Sequence, residues 1–148
     1  MIAVRKVQRG YNVRDLSYAD RSIIRGLDRL CFPWDEPYDP RYAFWWIAWD
    51  GDAPVGFSGL KPLRNEPGTA FMCRVGVLAT HRGTGLGRKL IRCRIAWARR
   101  NPDITTLVTY TMRSNLASAN NLLREGFRLY EPDYKYGGEA LYFTMDVS

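Results

Sequence analysis

Arg82-Gly83-Thr84-Gly85-Leu86-Gly87-Arg88-Lys89 is the stretch best equipped for chemistry, and that chemistry is the holding of an anion. Three alternating glycines let the main chain approach a ligand with no Cβ in the way. Leu86, Leu90, Cys93 and Trp97 then recur at helical spacing, so the run opens a helix whose first amides are unpaired donors at the positive end of its dipole. A pyrophosphate fits such a bend. A tight strand-to-helix connection would use glycines in the same way, and glycines alone do not separate the two. Two nucleotide patterns are disfavoured by spacing. The phosphate loop of nucleotide triphosphatases needs Lys followed by Ser or Thr, whereas Lys89 is followed by Leu90. The dinucleotide fold sets its glycines after an early strand, whereas three candidate strands precede them here.

Other residues stand out by type. Asp35, Glu36 and Asp39 give a proline-broken loop a negative tip, which suits either a lid that holds a cationic acceptor or an ordinary exposed turn. Arg74 interrupts an otherwise apolar strand, so it either reaches solvent past the strand's end or faces a functional cleft. Cys31, Cys73 and Cys93 have no paired spacing and sit in apolar patterns, which reads as reduced core thiols with no metal or disulfide role. The net charge is +7, and residues 85–100 carry Arg88, Lys89, Arg92, Arg94, Arg99 and Arg100 with no acid. An exposed helix face normally mixes its signs, so an anion is expected nearby.

These groups need a scaffold, and the pattern supplies one. Residues 3–7 and 11–13 are short candidates for a first strand, and Ser17 caps a helix starting near Asp20 with Ile23, Ile24, Leu27, Leu30 and Cys31 on one face. Residues 42–49 and 55–60 pair across the turn signal Asp50-Gly51. Trp45, Trp46 and Trp49 are better core residues than a base-stacking platform. Residues 69–78 form the strand before the glycine loop, Pro102 closes the basic helix, and residues 104–111 lie beside the fourth strand. Ser114 or Asn115 caps a last helix, Gly126 stops it, and residues 127–130 and 140–147 close the chain. The expected fold is α/β: one domain over residues 1–148, with a mixed, mostly antiparallel sheet of six to seven strands and helices on both faces. No apolar run approaches the roughly 20 residues of a membrane span, so a soluble, cytoplasmic protein is expected.

The run Arg82-Gly83-Thr84-Gly85-Leu86-Gly87 resembles the acetyl-CoA signature of the GCN5-related N-acetyltransferases (GNAT), which reads Arg or Gln, two residues, Gly, one residue, then Gly or Ala. The element order is similar over the whole chain. Phe32-Pro33-Trp34, Arg113-Ser114-Asn115, Gly126-Phe127 and Asp133-Tyr134-Lys135-Tyr136 further resemble the bacterial acetyltransferases of ribosomal-protein N-terminal alanines. The resemblance implies direct attack of an amine on acetyl-CoA, whose pantetheine arm lies between the fourth and fifth strands. Main-chain groups around Val75 and Val77 would bind the arm, amides from Arg82 to Arg88 the pyrophosphate, and Asn115 the arm's other side. Trp34, Asp35, Arg74 and Tyr136 would line the acceptor site.

The sequence departs from that family where chemistry matters most. Where those enzymes place a glutamate base and a tyrosine acid, this chain has Tyr110 and Leu122. Tyr110 would serve as a donor to sulfur, but a phenol with a pKa of about 10 is a poor base. Glu36, Asp35, an ordered water, Tyr134 or Tyr136 is then left to take the amine's proton. The leading expectation is an acetyl-CoA-dependent N-acetyltransferase acting on a protein N-terminus, a small amine or an amine-bearing nucleotide. The rival is a catalytically impaired module of the same fold that binds nucleic acid or another anionic partner. Charge disfavours a strongly cationic acceptor, since Arg74 and the basic helix suit one carrying carboxylate or phosphate.

Overall fold

The computed structural model describes residues 1–135 and 138–148. Its strands are β1 (Ile2–Lys6), β2 (Phe44–Asp50), β3 (Ala53–Pro62), β4 (Thr69–Val77), β5 (Thr106–Met112), β6 (Arg128–Leu129) and β7 (Ala140–Asp146). Its helices are α1 (Tyr18–Cys31), α2 (Leu86–Arg100) and α3 (Leu116–Arg124). Seven strands form one sheet in the order β1-β2-β3-β4-β5-β7-β6, antiparallel throughout except for the parallel pair β4 and β5. The expected α/β sheet with helices on both faces is therefore present.

Alternation along each strand divides the core in two. Phe44, Trp46 and Ala48 face α2 and α3, meeting Leu86, Leu90, Ile95 and Leu122, while Trp45, Ile47, Phe57 and Cys73 face Ile24 and Leu27 of α1. Trp45 and Trp46 are core residues as expected, and Trp49 packs at the margin. Ser17 caps α1 by accepting the Asp20 amide, and Asn115, not Ser114, caps α3 by accepting that of Ser118. Two expectations fail. Residues 11–13 form no strand, and Leu30 is 68% exposed despite lying on the apolar stripe of α1.

Two irregularities open the middle of the sheet. The β4–β5 ladder has only the pairs Thr69 with Thr106, Ala70 with Leu107 and Phe71 with Val108, after which the strands diverge. On the other edge of β4 the register slips: Cys73 opposes Gly59 and Val75 opposes Ser58, leaving Arg74 as an extra residue with φ +25°. A bulge of this kind bends the strand and increases its twist, which carries the C-terminal end of β4 away from β5.

Candidate active site

The glycine loop has the form its sequence demands. Gly83 and Gly85 adopt φ +77° and +82°, and Gly85 is the N-cap of α2. A left-handed cap offers no side-chain oxygen to the first turn, and the amides of residues 83 to 88 have no acceptor among the described residues. A Cβ built on Gly83, Gly85 or Gly87 would meet nothing within 4 Å, so the loop is open on the sides these positions face. Neighbouring side chains brace the loop: Thr84 Oγ1 donates to His81 O at 2.7 Å and Arg82 Nε to Val77 O at 3.0 Å. His81 Nε2 lies 2.9 Å from Asp50 Oδ2, tying the loop to the β2–β3 turn. Unpaired amides at an open helix start fit a diphosphate.

A cleft of about 750 Å³ lies between the diverging strands, reaching α2 at Ile91 and Arg94. One wall is β4 with Arg74 and Val75, the other is β5 with Thr109 and Tyr110, and Asn115, Ser118 and Leu122 close the helical side. With no ladder to β5 beyond Phe71, one edge of β4 offers its peptide groups to the cleft. Asn115 Oδ1 is engaged as the helix cap, which leaves its Nδ2 for a ligand. Leu122 is buried and apolar, so that position contributes no proton donor.

The mouth is formed by the loop after α1, clamped by the bulge residue. Arg74 Nε lies 3.0 Å from Asp28 Oδ1, Nη1 donates to Asp35 Oδ2 at 2.9 Å, and Nη2 donates to Glu36 O at 2.7 Å. Its guanidinium also sits 4.6 Å over the Phe32 ring. Arg74 thus faces the cleft, with its charge already matched by two carboxylates. The Glu36 side chain, by contrast, has no cation beside it among the described residues. Tyr38 also lines the cleft, but burial pushes its phenol up, away from any role as a base at neutral pH.

A second hollow of about 410 Å³ lies on the sheet face that α1 leaves uncovered. Phe71, Thr109 and Tyr110 line both this groove and the cleft, so the two meet there. Tyr110 is stacked on Phe71, with planes 10° apart and centroids at 5.8 Å, and among the described residues Tyr142 also stands beside it, with ring centroids 5.9 Å apart. Glu66, Glu131, Asp133 and Tyr134 stand on the groove's walls, with no Lys or Arg among its described lining residues. Trp34 lines neither hollow and is 93% exposed. Tyr136 lies outside the described residues.

The anion expected beside the basic helix is partly supplied by the protein. Glu125, just past α3, accepts Arg88 Nη2 and Arg92 Nε, each at 2.8 Å. Burial pushes its carboxyl up, but the two guanidiniums outweigh that and hold it below the usual carboxylate range. A depressed folded-state pKa means that this tie is complete above the unfolded value of about 4.3 and is lost as pH falls through the lower folded value. Between about pH 6 and about pH 3, the urea midpoint of the wild type should therefore fall more steeply than that of Glu125→Gln; parallel curves would show the tie to be energetically silent.

A profile of the acetyltransferase (GNAT) family matches residues 12–127. The chain belongs to that family. This acetyltransferase is accordingly an acyl-CoA N-acyltransferase with acetyl-CoA as its donor. A comparison with curated proteins finds no match. Solved structures similar to it in fold include the ribosomal-protein-S18-alanine N-acetyltransferase of Escherichia coli (14% identity over 100% of this chain and 95% of that one, TM-score 0.74). Others are yncA of Salmonella typhimurium with its cofactor acetyl-CoA (18%, 100% and 95%, 0.74) and a Bacillus subtilis acetyltransferase in complex with CoA (18%, 99% and 99%, 0.72).

Four contributors to the acetyltransferase's site escape a reading of its sequence: Asp28, Phe71, Arg94 and Thr109. Only Arg94 carries a signal there, since it lies four residues after Leu90 on the apolar stripe of α2, where a charge is out of place. No helix of the described residues is long and apolar enough to cross a membrane.

Proposed function

We propose that this acetyltransferase, working in the cytoplasm, acetylates a primary amine on a protein N-terminus or a small molecule by direct attack in a ternary complex. The observation that carries this reading is the meeting of cleft and groove at Tyr110. A donor lying along one and an acceptor entering by the other come together beside a single phenol, with no need of a covalent relay.

Amides from Gly83 through Thr84, Gly85, Leu86 and Gly87 to Arg88 hold the diphosphate, the Arg82 amide being donated to Ala79 O, and main-chain groups around Val75 and Val77 together with Asn115 Nδ2 flank the arm. Acetyl-CoA supplies an acetyl group activated as a thioester. Glu36 takes the proton of the incoming ammonium, directly or through water, so that the nitrogen lone pair is free to form the new C–N bond. Tyr110 gives its proton to the sulfur as the C–S bond breaks, and the second proton, shed by the acylated nitrogen, passes through water to restore the phenol. Tyr134 shapes the acceptor side of the groove.

The charge pattern now favours a cationic or neutral acceptor. Asp28 and Asp35 neutralise Arg74, Lys135 pairs with Glu131, and the groove keeps the carboxylates of Glu66 and Asp133, which disfavours an amine borne on phosphate. Arg88 and Arg92 share Glu125, which weakens the case for a nucleic-acid module. An acetyl-transfer screen by mass spectrometry across N-terminal peptides, small amines and amine-bearing nucleotides tests this reading. Acetylated peptides or small amines are expected; acetylation of the nucleotides alone would overturn it. Tyr110→Phe keeps the stacked ring, and it should lower kcat roughly 10²-fold with little change in KM for acetyl-CoA. An unchanged kcat removes Tyr110 from the chemistry.

A further inference from the structure

Arg94 projects from α2 into the sheet and is only 2% exposed. Among the described residues no carboxylate pairs with it, an unusual state for a buried guanidinium. Its partners are carbonyls: Nε donates to Leu90 O at 3.1 Å, and Nη1 to Gly59 O at 3.0 Å and to Cys73 O at 3.4 Å. Gly59 and Cys73 are the residues that face each other where the β3–β4 register slips. A regular antiparallel ladder answers its carbonyls with amides; a bulge interrupts that exchange and needs another donor. On the opposite edge of β4, Thr109 Oγ1 donates to Met72 O at 2.9 Å, just past the last β4–β5 ladder pair. Side chains from α2 and β5 thus hold residues 72 and 73 on both edges.

We propose that Arg94 is a positioning residue that fixes the β3–β4 bulge and thereby sets the divergence of β4 from β5 on which acetyl-CoA binding depends. The last clause rests on the acetyltransferase reading; the first does not. Burial pushes the Arg94 pKa down to about 10, which still leaves it charged at neutral pH. Leu or Met would fill this position on an apolar stripe without burying a charge, so the retained guanidinium points to a need for several fixed donors.

Amide hydrogen exchange and acetyl-CoA titration of the wild type, Arg94→Lys and Arg94→Met test the proposal. Lys retains the charge but lacks the fork, and it serves as the folded variant should Met prove too disruptive. Exchange of residues 72–76 is expected to accelerate about tenfold or more in the variants, with the β1–β2 pair unaffected. The Kd for acetyl-CoA is expected to rise about tenfold or more, with Lys milder than Met. Unchanged exchange at the bulge overturns the proposal. Accelerated exchange with unchanged acetyl-CoA affinity overturns its link to the donor. A wild-type protein that binds no acetyl-CoA overturns the acetyltransferase reading instead, while the exchange result still decides the role of Arg94 at the bulge.

Discussion

Gly85→Glu is expected to abolish the thermal stabilisation that acetyl-CoA confers on the wild type. At a ligand concentration a hundredfold above Kd, a single site stabilises the folded state by about 2.7 kcal/mol. For a domain of this size that is a rise in melting temperature of roughly 5 to 10 °C. The substitution acts twice. Gly85 holds φ +82°, a conformation that a residue with a Cβ adopts only under strain, and the new carboxylate would compete with phosphate for the same unpaired amides. Gly87→Ala separates the two effects. Gly87 lies inside α2, and a Cβ there meets no heavy atom within 4 Å. Alanine at that position should raise intrinsic stability by up to about 1 kcal/mol through helix propensity, yet reduce the shift produced by acetyl-CoA. A folded Gly85→Glu protein that retained the full shift would show that the diphosphate is not held at this loop.

Arg74→Met should destabilise the fold by about 1 to 3 kcal/mol, because it leaves the Asp28 carboxylate, whose side chain is 4% exposed, without its cation. Arg74 Nε and Asp28 Oδ1 lie 3.0 Å apart without hydrogen-bond alignment, so the loss is below that of a fully buried, hydrogen-bonded pair. The second Asp28 oxygen accepts the Tyr38 amide at 3.1 Å, so the aspartate is held in place and cannot turn to water. Asp28→Asn in the Arg74→Met background removes the stranded charge and keeps an acceptor for Tyr38, so it should restore much of the loss. A double-mutant cycle from urea unfolding measures the coupling. A loss below about 1 kcal/mol for Arg74→Met would show that the pair behaves as a surface salt bridge. The same variant also unties the loop carrying Asp35 and Glu36 from β4, so turnover should fall in the fraction that remains folded.

The sequence disclosed what is local. Ser17 and Gly126 mark helix ends by their own chemistry, and the glycine loop announces its conformation by spacing. It did not disclose the bulge, because a register slip belongs to two strands at once and neither Ser58 nor Cys73 is unusual alone. Arg74 was visible as an anomaly, but its partners come from residues 28 to 36, far along the chain. Arg94 and Glu125 were hidden for the opposite reason. Counting charges along one helix groups Arg94 with its solvated neighbours and misses an acid supplied from beyond the next one. Leu30 shows the limit of periodicity: Cys31, one residue further on, still packs against the sheet, so the covered arc of α1 is narrower than its apolar stripe.

Only three residue pairs join β4 to β5. The sheet is in effect two halves meeting along a short seam, four strands on one side and three on the other. A substrate lodged past the end of that seam occupies the place of the missing ladder and touches both halves. Its binding should therefore bring them to melt as one unit, so the line along which the empty protein parts most readily is also the line along which it works.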